Sequence, residues 1–194
     1  VPALAAGLDT LTRSRARPGG TRIIAIDGWS GSGKTSLAEK LAPALGAPCL
    51  HLDDWVPGWN GLARSVELLV EWVLQPLALG RPARWRPWDW TRARFGPWED
   101  VAPAELMVVE GCGAGSAPAR PWLTAQVWIA LDDDERHQRL RARPDWSTYA
   151  PWADIWAAQE AALRAGEDPP ERADAVVEVG PETSGPLQVR WSPP

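Results

Sequence analysis

The chain has 194 residues, a formal charge of −5 and 45% hydrophobic residues, which fits one domain with a full apolar core. An acidic balance with no extended basic run excludes a dedicated nucleic-acid binder, whose phosphate partner demands a positive face. No run of about eighteen apolar residues predicts a membrane span, and the N-terminus lacks a secretory h-region; Cys49 and Cys112 lack metal-ligand spacing, so reduced thiols in a cytoplasmic protein are expected.

Leu4, Leu8 and Leu11 predict a short amphipathic helix over 3–16, and "RPGG" at 17–20 ends it. "TRIIAID" (21–27) reads as a strand buried on both faces. "KTSLAEKLAPAL" (34–45) reads as a helix, with Pro43 expected to shorten it. "PCLHLDD" (48–54) is a second strand ending in two acids. A strong helical pattern over 62–80 is expected to run as far as Pro76, and the span 81–100, rich in Trp, Arg and Pro, carries no regular period. Strands are expected at 105–111, 125–132 and 175–180, and helices at 133–143 and 148–165. The tail "LQVRWSPP" is either an edge strand or a frayed end.

Strands alternating with helices predict an α/β fold, a three-layer α/β/α sandwich around a five-stranded, mainly parallel sheet. There is no internal repeat, and residues 1–194 read as one domain in which 1–20 form an N-terminal helix and linker. Right-handed crossovers bring the C-terminal strand ends to one edge, where ligands bind. Gly28, Asp53, Glu110 and Asp132 each follow an apolar strand and are expected to converge there.

Gly28-Trp29-Ser30-Gly31-Ser32-Gly33-Lys34-Thr35 matches G-x-x-x-x-G-K-[ST] between a strand and a helix. Glycines let successive amides curl inward around anionic oxygens, and the helix start adds its positive end. Gly28, Ser30, Gly31, Ser32, Gly33, Lys34, Thr35 and Ser36 are therefore the expected nucleotide cradle. Lys34 is expected on the β- and γ-phosphates and Thr35 on Mg²⁺. ATP and Mg²⁺ are the expected cofactors.

Asp53 and Asp54 can each take the proton of an attacking hydroxyl or help to order the metal, and spacing does not choose between them. Glu110 closes "LMVVEG" where an acid commonly holds the metal's water shell. Arg136 shares a helix face with Arg139 or Arg143, and guanidinium forks suit phosphoryl oxygens. The region of about 133–150 is thus a candidate lid. Of the fourteen tryptophans, Trp55, Trp59, Trp88 and Trp90 could stack on a base, or simply pack.

Together, "IAIDGWSGSGKTSLAEKL", "HLDDW", "PWDW", "VVEG" and "RLRARPDW" resemble the uridine kinase-like branch of the P-loop kinases, over roughly residues 21–165. That branch includes uridine–cytidine kinases, phosphoribulokinase and bacterial pantothenate kinase. The resemblance implies a P-loop NTPase fold with an Arg-bearing lid helix. It gives Asp53 the role of base, places Trp88 and Asp89 against a nucleoside with Arg92 or Arg94 behind them, and makes Arg136, Arg139 and Arg143 the lid arginines. Trp88 stands where the family has tyrosine, and "RARPDWSTYAPW" replaces the family's usual lid ending.

The expected activity is ATP-dependent transfer of the γ-phosphate to a hydroxyl of a small molecule, first of all a nucleoside. Asp53, Lys34, Arg139 and Arg143 are then the catalytic residues. Asp53, Asp54, Trp55, Trp88, Asp89, Arg94 and Glu110 are the expected acceptor-binding residues, and Thr35, Asp53 and Glu110 the metal-facing ones. A non-nucleoside alcohol, such as a vitamin precursor or secondary metabolite, is the alternative acceptor. A regulatory module that binds ATP without transfer is the alternative class. Monomer and homodimer both remain open.

Overall fold

Every residue of β1 (Arg22–Gly28) is buried, as a run of isoleucines without polar alternation requires of a strand covered on both faces. In the computed structural model, which describes residues 1–179 and 188–192, this strand lies inside a six-stranded sheet. The spatial order is β10 (Gln188–Trp191), β9 (Ala175–Glu178), β8 (Ala125–Ala130), β1, β7 (Leu106–Glu110), β2 (Cys49–His51). Neighbours from β9 to β2 pair in parallel, and β10 runs antiparallel to β9. The expected five parallel strands are present, and the described part of the tail adds a sixth at the edge.

Strand alternation divides the core into two layers. Ile24 and Ile26 face α1 (Pro2–Ser14) and α2 (Lys34–Ala44), where Leu4, Leu8, Leu37 and Leu41 complete one apolar cluster. Ile23 and Ala25 face the opposite side, against Val66, Leu69, Val73 and Leu77. Those residues lie on α3 (Leu62–Leu68), a wide π-helical turn over Leu69–Leu74, and α4 (Gln75–Ala78). Helical structure therefore continues past Pro76, which sits in the first turn of α4, where a missing N–H is tolerated. Pro43 likewise lies in the last turn of α2 and does not shorten it.

The span without a period folds as two small antiparallel pairs, β3 (Ala83–Trp85) with β6 (Glu99–Val101), and β4 (Trp88–Asp89) with β5 (Arg94–Phe95). The C-terminal half supplies α5 (Asp133–Arg141), α6 (Trp146–Tyr149), α7 (Ala153–Leu163) and α8 (Pro169–Arg172). The second strand is shorter than expected. It stops at His51, and Leu52–Trp55 forms a 3₁₀ turn, so Asp53 and Asp54 lie on that turn. Their carboxylates accordingly point from a tight helical turn and not from a strand end. No helix among the described residues is long and apolar enough to cross a membrane.

Candidate active site

The loop from Gly28 to Gly33 joins the central strand to α2. Gly31 and Gly33 have φ of 83° and 96°, values that a side chain resists and glycine accepts. A Cβ on Gly31 would also stand 2.7 Å from the Arg136 carbonyl oxygen. Gly33 is the N-cap of α2 and brings no capping side chain, so the helix start keeps N–H groups for a ligand.

Lys34 Nζ folds back over the loop and donates to the carbonyls of Gly28 and Trp29, 3.1 Å each. Burial alone would push this ammonium toward neutrality. The negative groups facing it, among them the carboxylates of Glu160, Asp53 and Asp27, more than offset that, and its pKa is raised. Beside it, Thr35 Oγ1 donates to Glu110 Oε1 (3.0 Å), and His51 Nδ1 lies 2.7 Å from the same oxygen. Register explains the meeting, since Glu110 pairs with Ile26 on one side and His51 on the other.

Lys34, Thr35 and Glu110 line a cavity of about 440 Å³ with Ser30, Gly31, Gly33, Ser36, Asp53, Cys112, Arg139 and Arg143. The lining fits a nucleoside triphosphate with Mg²⁺. The helix start, the loop amides and Lys34 suit phosphates, and buried Ser32 Oγ has no partner. Among the described residues no cluster of three or more His, Cys, Asp or Glu forms a protein cage for a metal. A hydroxyl and a carboxylate that leave most positions to phosphate and water are what Mg²⁺ takes.

A second cavity, about 430 Å³, shares Ser30, Asp53 and Arg143 with the first and is otherwise lined by Val56, Trp59, Trp90, Asp145, Thr148, Tyr149 and Trp156. Asp53 thus stands between two chambers, one cationic and glycine-rich, the other aromatic. Asp54 lines neither; partial loss of solvent raises its pKa.

Other expected residues fall outside both chambers. Trp55 is fully buried, donates to the Ser65 carbonyl (3.3 Å) and packs on Trp85, so it is a core residue. Asp89 accepts from the amides of Thr91 and Arg92 and from the Arg92 guanidinium, which holds its carboxyl below the usual range. These bonds tie its carboxylate to its own hairpin turn. Trp88 packs edge-on against Phe95, and Arg94 is exposed on the same hairpin. Arg136 grips the loop from behind, donating to the Ser30 carbonyl (3.1 Å) and to Asp133, with its guanidinium 5.9 Å from the Trp29 ring. Arg139 and Arg143 do reach the phosphate-side chamber; there they pair with Glu135 and Asp145.

Several residues carried no signal in the sequence. Asp27 closes the central strand and is 3% exposed; it accepts from the amides of Gly28, Gly113 and Gly115 and from Arg164. Arg164 is itself stacked 4.4 Å from the Trp29 ring. Glu160 is 1% exposed and accepts from Ser30 N (2.8 Å) and Oγ (3.1 Å). Glu160 shares its alanine-rich helix with Asp154 and Gln159, so nothing in the sequence set it apart.

Solved structures share this arrangement of strands and loop. A D-glycerate 3-kinase from Cryptococcus neoformans var. grubii superposes with a TM-score of 0.61 at 14% identity, over 98% of this chain and 97% of that one. The chain has the P-loop kinase fold. A protein described as a possible uridine kinase from Bacillus stearothermophilus superposes with a TM-score of 0.57 at 21% identity, over 90% of this chain and 98% of the other. The P-loop kinase fold therefore spans the uridine kinase-like group that the sequence motifs resemble. No protein-family model and no curated protein sequence matches the chain.

Proposed function

We propose that the protein is an ATP-dependent small-molecule kinase that phosphorylates a hydroxyl. The observation that carries this reading is Asp53, whose residue lines both the phosphate-side chamber and the aromatic chamber. ATP supplies the phosphoryl group, and Mg²⁺ offsets part of its charge. Lys34, the loop amides and the start of α2 hold the phosphates; Thr35 and Glu110 face the metal. Asp53 accepts the proton of the attacking hydroxyl. Arg139 and Arg143, on the candidate lid, offset charge on the phosphate side once released from Glu135 and Asp145. The chemistry is mostly positioning and electrostatics, which this set of groups can supply.

The neighbours' own names point to hydroxyl acceptors, glycerate in one and uridine in the other. A nucleoside would set its base against Trp59 and Trp90; a non-nucleoside alcohol would use the same wall. A coupled ADP-release assay over nucleosides, vitamins, sugars and amino alcohols, with Lys34→Ala as the blank, tests the reading. ADP formed only when a second molecule is supplied supports it. Nucleotide binding with no transfer to any acceptor would favour a regulatory module.

A further inference from the structure

We infer that the aromatic chamber takes an alcohol bearing an alkylammonium group, with the cation held among Trp59, Trp90, Tyr149 and Trp156. This inference rests on the kinase reading and names its acceptor class.

Ring inclination is the first argument. A flat base is gripped best between parallel faces. Relative to Trp59, the lining rings of Trp156, Tyr149 and Trp90 are turned by 83°, 64° and 52°. Among the described residues the ring parallel to Trp59 is Trp152, at 5° and with centroids 5.8 Å apart, and it is not part of the chamber lining. Lining rings turned this steeply from Trp59 leave no parallel slot against it for a flat base and offer ring surface to a compact group from more than one direction. That is the arrangement in which aromatic quadrupoles hold a rounded cation.

Charge is the second. Two carboxylates, Asp53 and Asp145, line the chamber against one guanidinium. Both oxygens of Asp145 are bonded to Arg143, at 2.8 and 2.7 Å, which cancels that cation. Asp53 forms no ion pair among the described residues. By its own lining the chamber is thus formally negative, with Lys34 facing Asp53 from the phosphate side. If Arg143 turns to the phosphate side, which it also lines, Asp145 is freed and the acceptor side becomes more negative still.

Hydrogen-bonding groups are the third. No Asn or Gln lines the chamber to read the edge of a base; its uncharged polar groups are Ser30, Thr148, Tyr149 and the indole N–H groups of its tryptophans. The Ser30 hydroxyl is already used, donating to Glu160 and accepting from Trp156 Nε1.

The test is a calorimetric titration of the whole chain, with nucleotide and Mg²⁺ present, using choline and its neutral isostere 3,3-dimethylbutan-1-ol. The two differ by a charged nitrogen in place of a carbon. Choline is expected to bind about tenfold more tightly, the scale of a partly desolvated cation–π site. Trp90→Ala is expected to bring that ratio toward one; Trp90 is 46% exposed, so its loss leaves the core intact. Trp98→Ala, also exposed but outside the chamber, keeps the ratio. Equal affinities, tighter binding of the neutral alcohol, or no binding of either overturns the inference. Turnover of a neutral nucleoside in preference to every ammonium alcohol overturns it too, yet leaves the kinase reading standing. Loss of that reading is seen separately, as nucleotide binding indifferent to Lys34→Ala.

Discussion

Trp156 Nε1 donates to Ser30 Oγ across 3.0 Å, so a wall of the acceptor chamber is bonded to the phosphate loop itself. One turn further along α7, Glu160 accepts from the same serine's amide and hydroxyl. Trp156→Phe keeps an aromatic wall and deletes the N–H. A buried hydrogen bond is worth about 1 kcal/mol, so affinities for acceptor and nucleotide should both weaken by about fivefold. Separate KM measurements for the two substrates check this. A change confined to the acceptor KM would mean that Ser30 does not couple the chambers.

Lys34 and Asp53 should separate binding from chemistry. Lys34→Ala is expected to lose nucleotide affinity and turnover together, since Nζ is the loop's own cation. Asp53→Asn should keep nucleotide affinity while kcat falls about 10²–10⁴-fold, the usual contribution of a positioned general base. Titration of nucleotide binding beside single-turnover kinetics distinguishes the two. Full turnover in Asp53→Asn would remove it as base and leave Asp54, which lies outside both chambers, no better placed.

Glu110 Oε1 is shared by Thr35 and His51. Glu110→Gln removes the charge and keeps the size. The Mg²⁺ concentration for half-maximal activity is expected to rise about tenfold, as for other residues that support a metal. An unchanged Mg²⁺ titration would show that the carboxylate serves only to fix His51 and Thr35.

Burial pushes the thiols of Cys112 and Cys49 up to about 12. The thiolate is the reactive form. At pH 8 its fraction is then about 10⁻⁴, against about 0.2 for an ordinary thiol of pKa near 8.5. Alkylation of the native protein by iodoacetamide should be about a thousandfold slower than in denaturant, and should rise tenfold per pH unit. Fast labelling near neutral pH would contradict this, most tellingly at Cys112, which lines the phosphate-side chamber and so is not shielded by access alone.

Trp55 was expected at the acceptor and is instead fully buried against Trp85. Truncating such a side chain costs about 3–5 kcal/mol. Trp55→Ala should therefore lower the denaturant midpoint markedly while the acceptor KM of the folded fraction stays the same. The reverse pattern, normal stability with a raised KM, would return Trp55 to the site.

The stretch 27–37 could be read without coordinates because its chemistry is local. Consecutive residues supply the strand, the positive-φ glycines at 31 and 33, and the helix start, and backbone geometry over a few residues is governed by those residues themselves. Parallel order and the convergence of Gly28 and Glu110 followed from strand polarity in the same way. Tertiary structure alone decided the acceptor side. Trp55 and Trp59 are four residues apart, yet one is core and the other lines a chamber with Trp90, Tyr149 and Trp156. The buried partners of the loop, Glu160 and Arg164, come from more than a hundred residues away. A tryptophan's size and a carboxylate's charge are written in the chain, but which surface each meets is set by how distant helices pack, and packing is a property of the whole molecule.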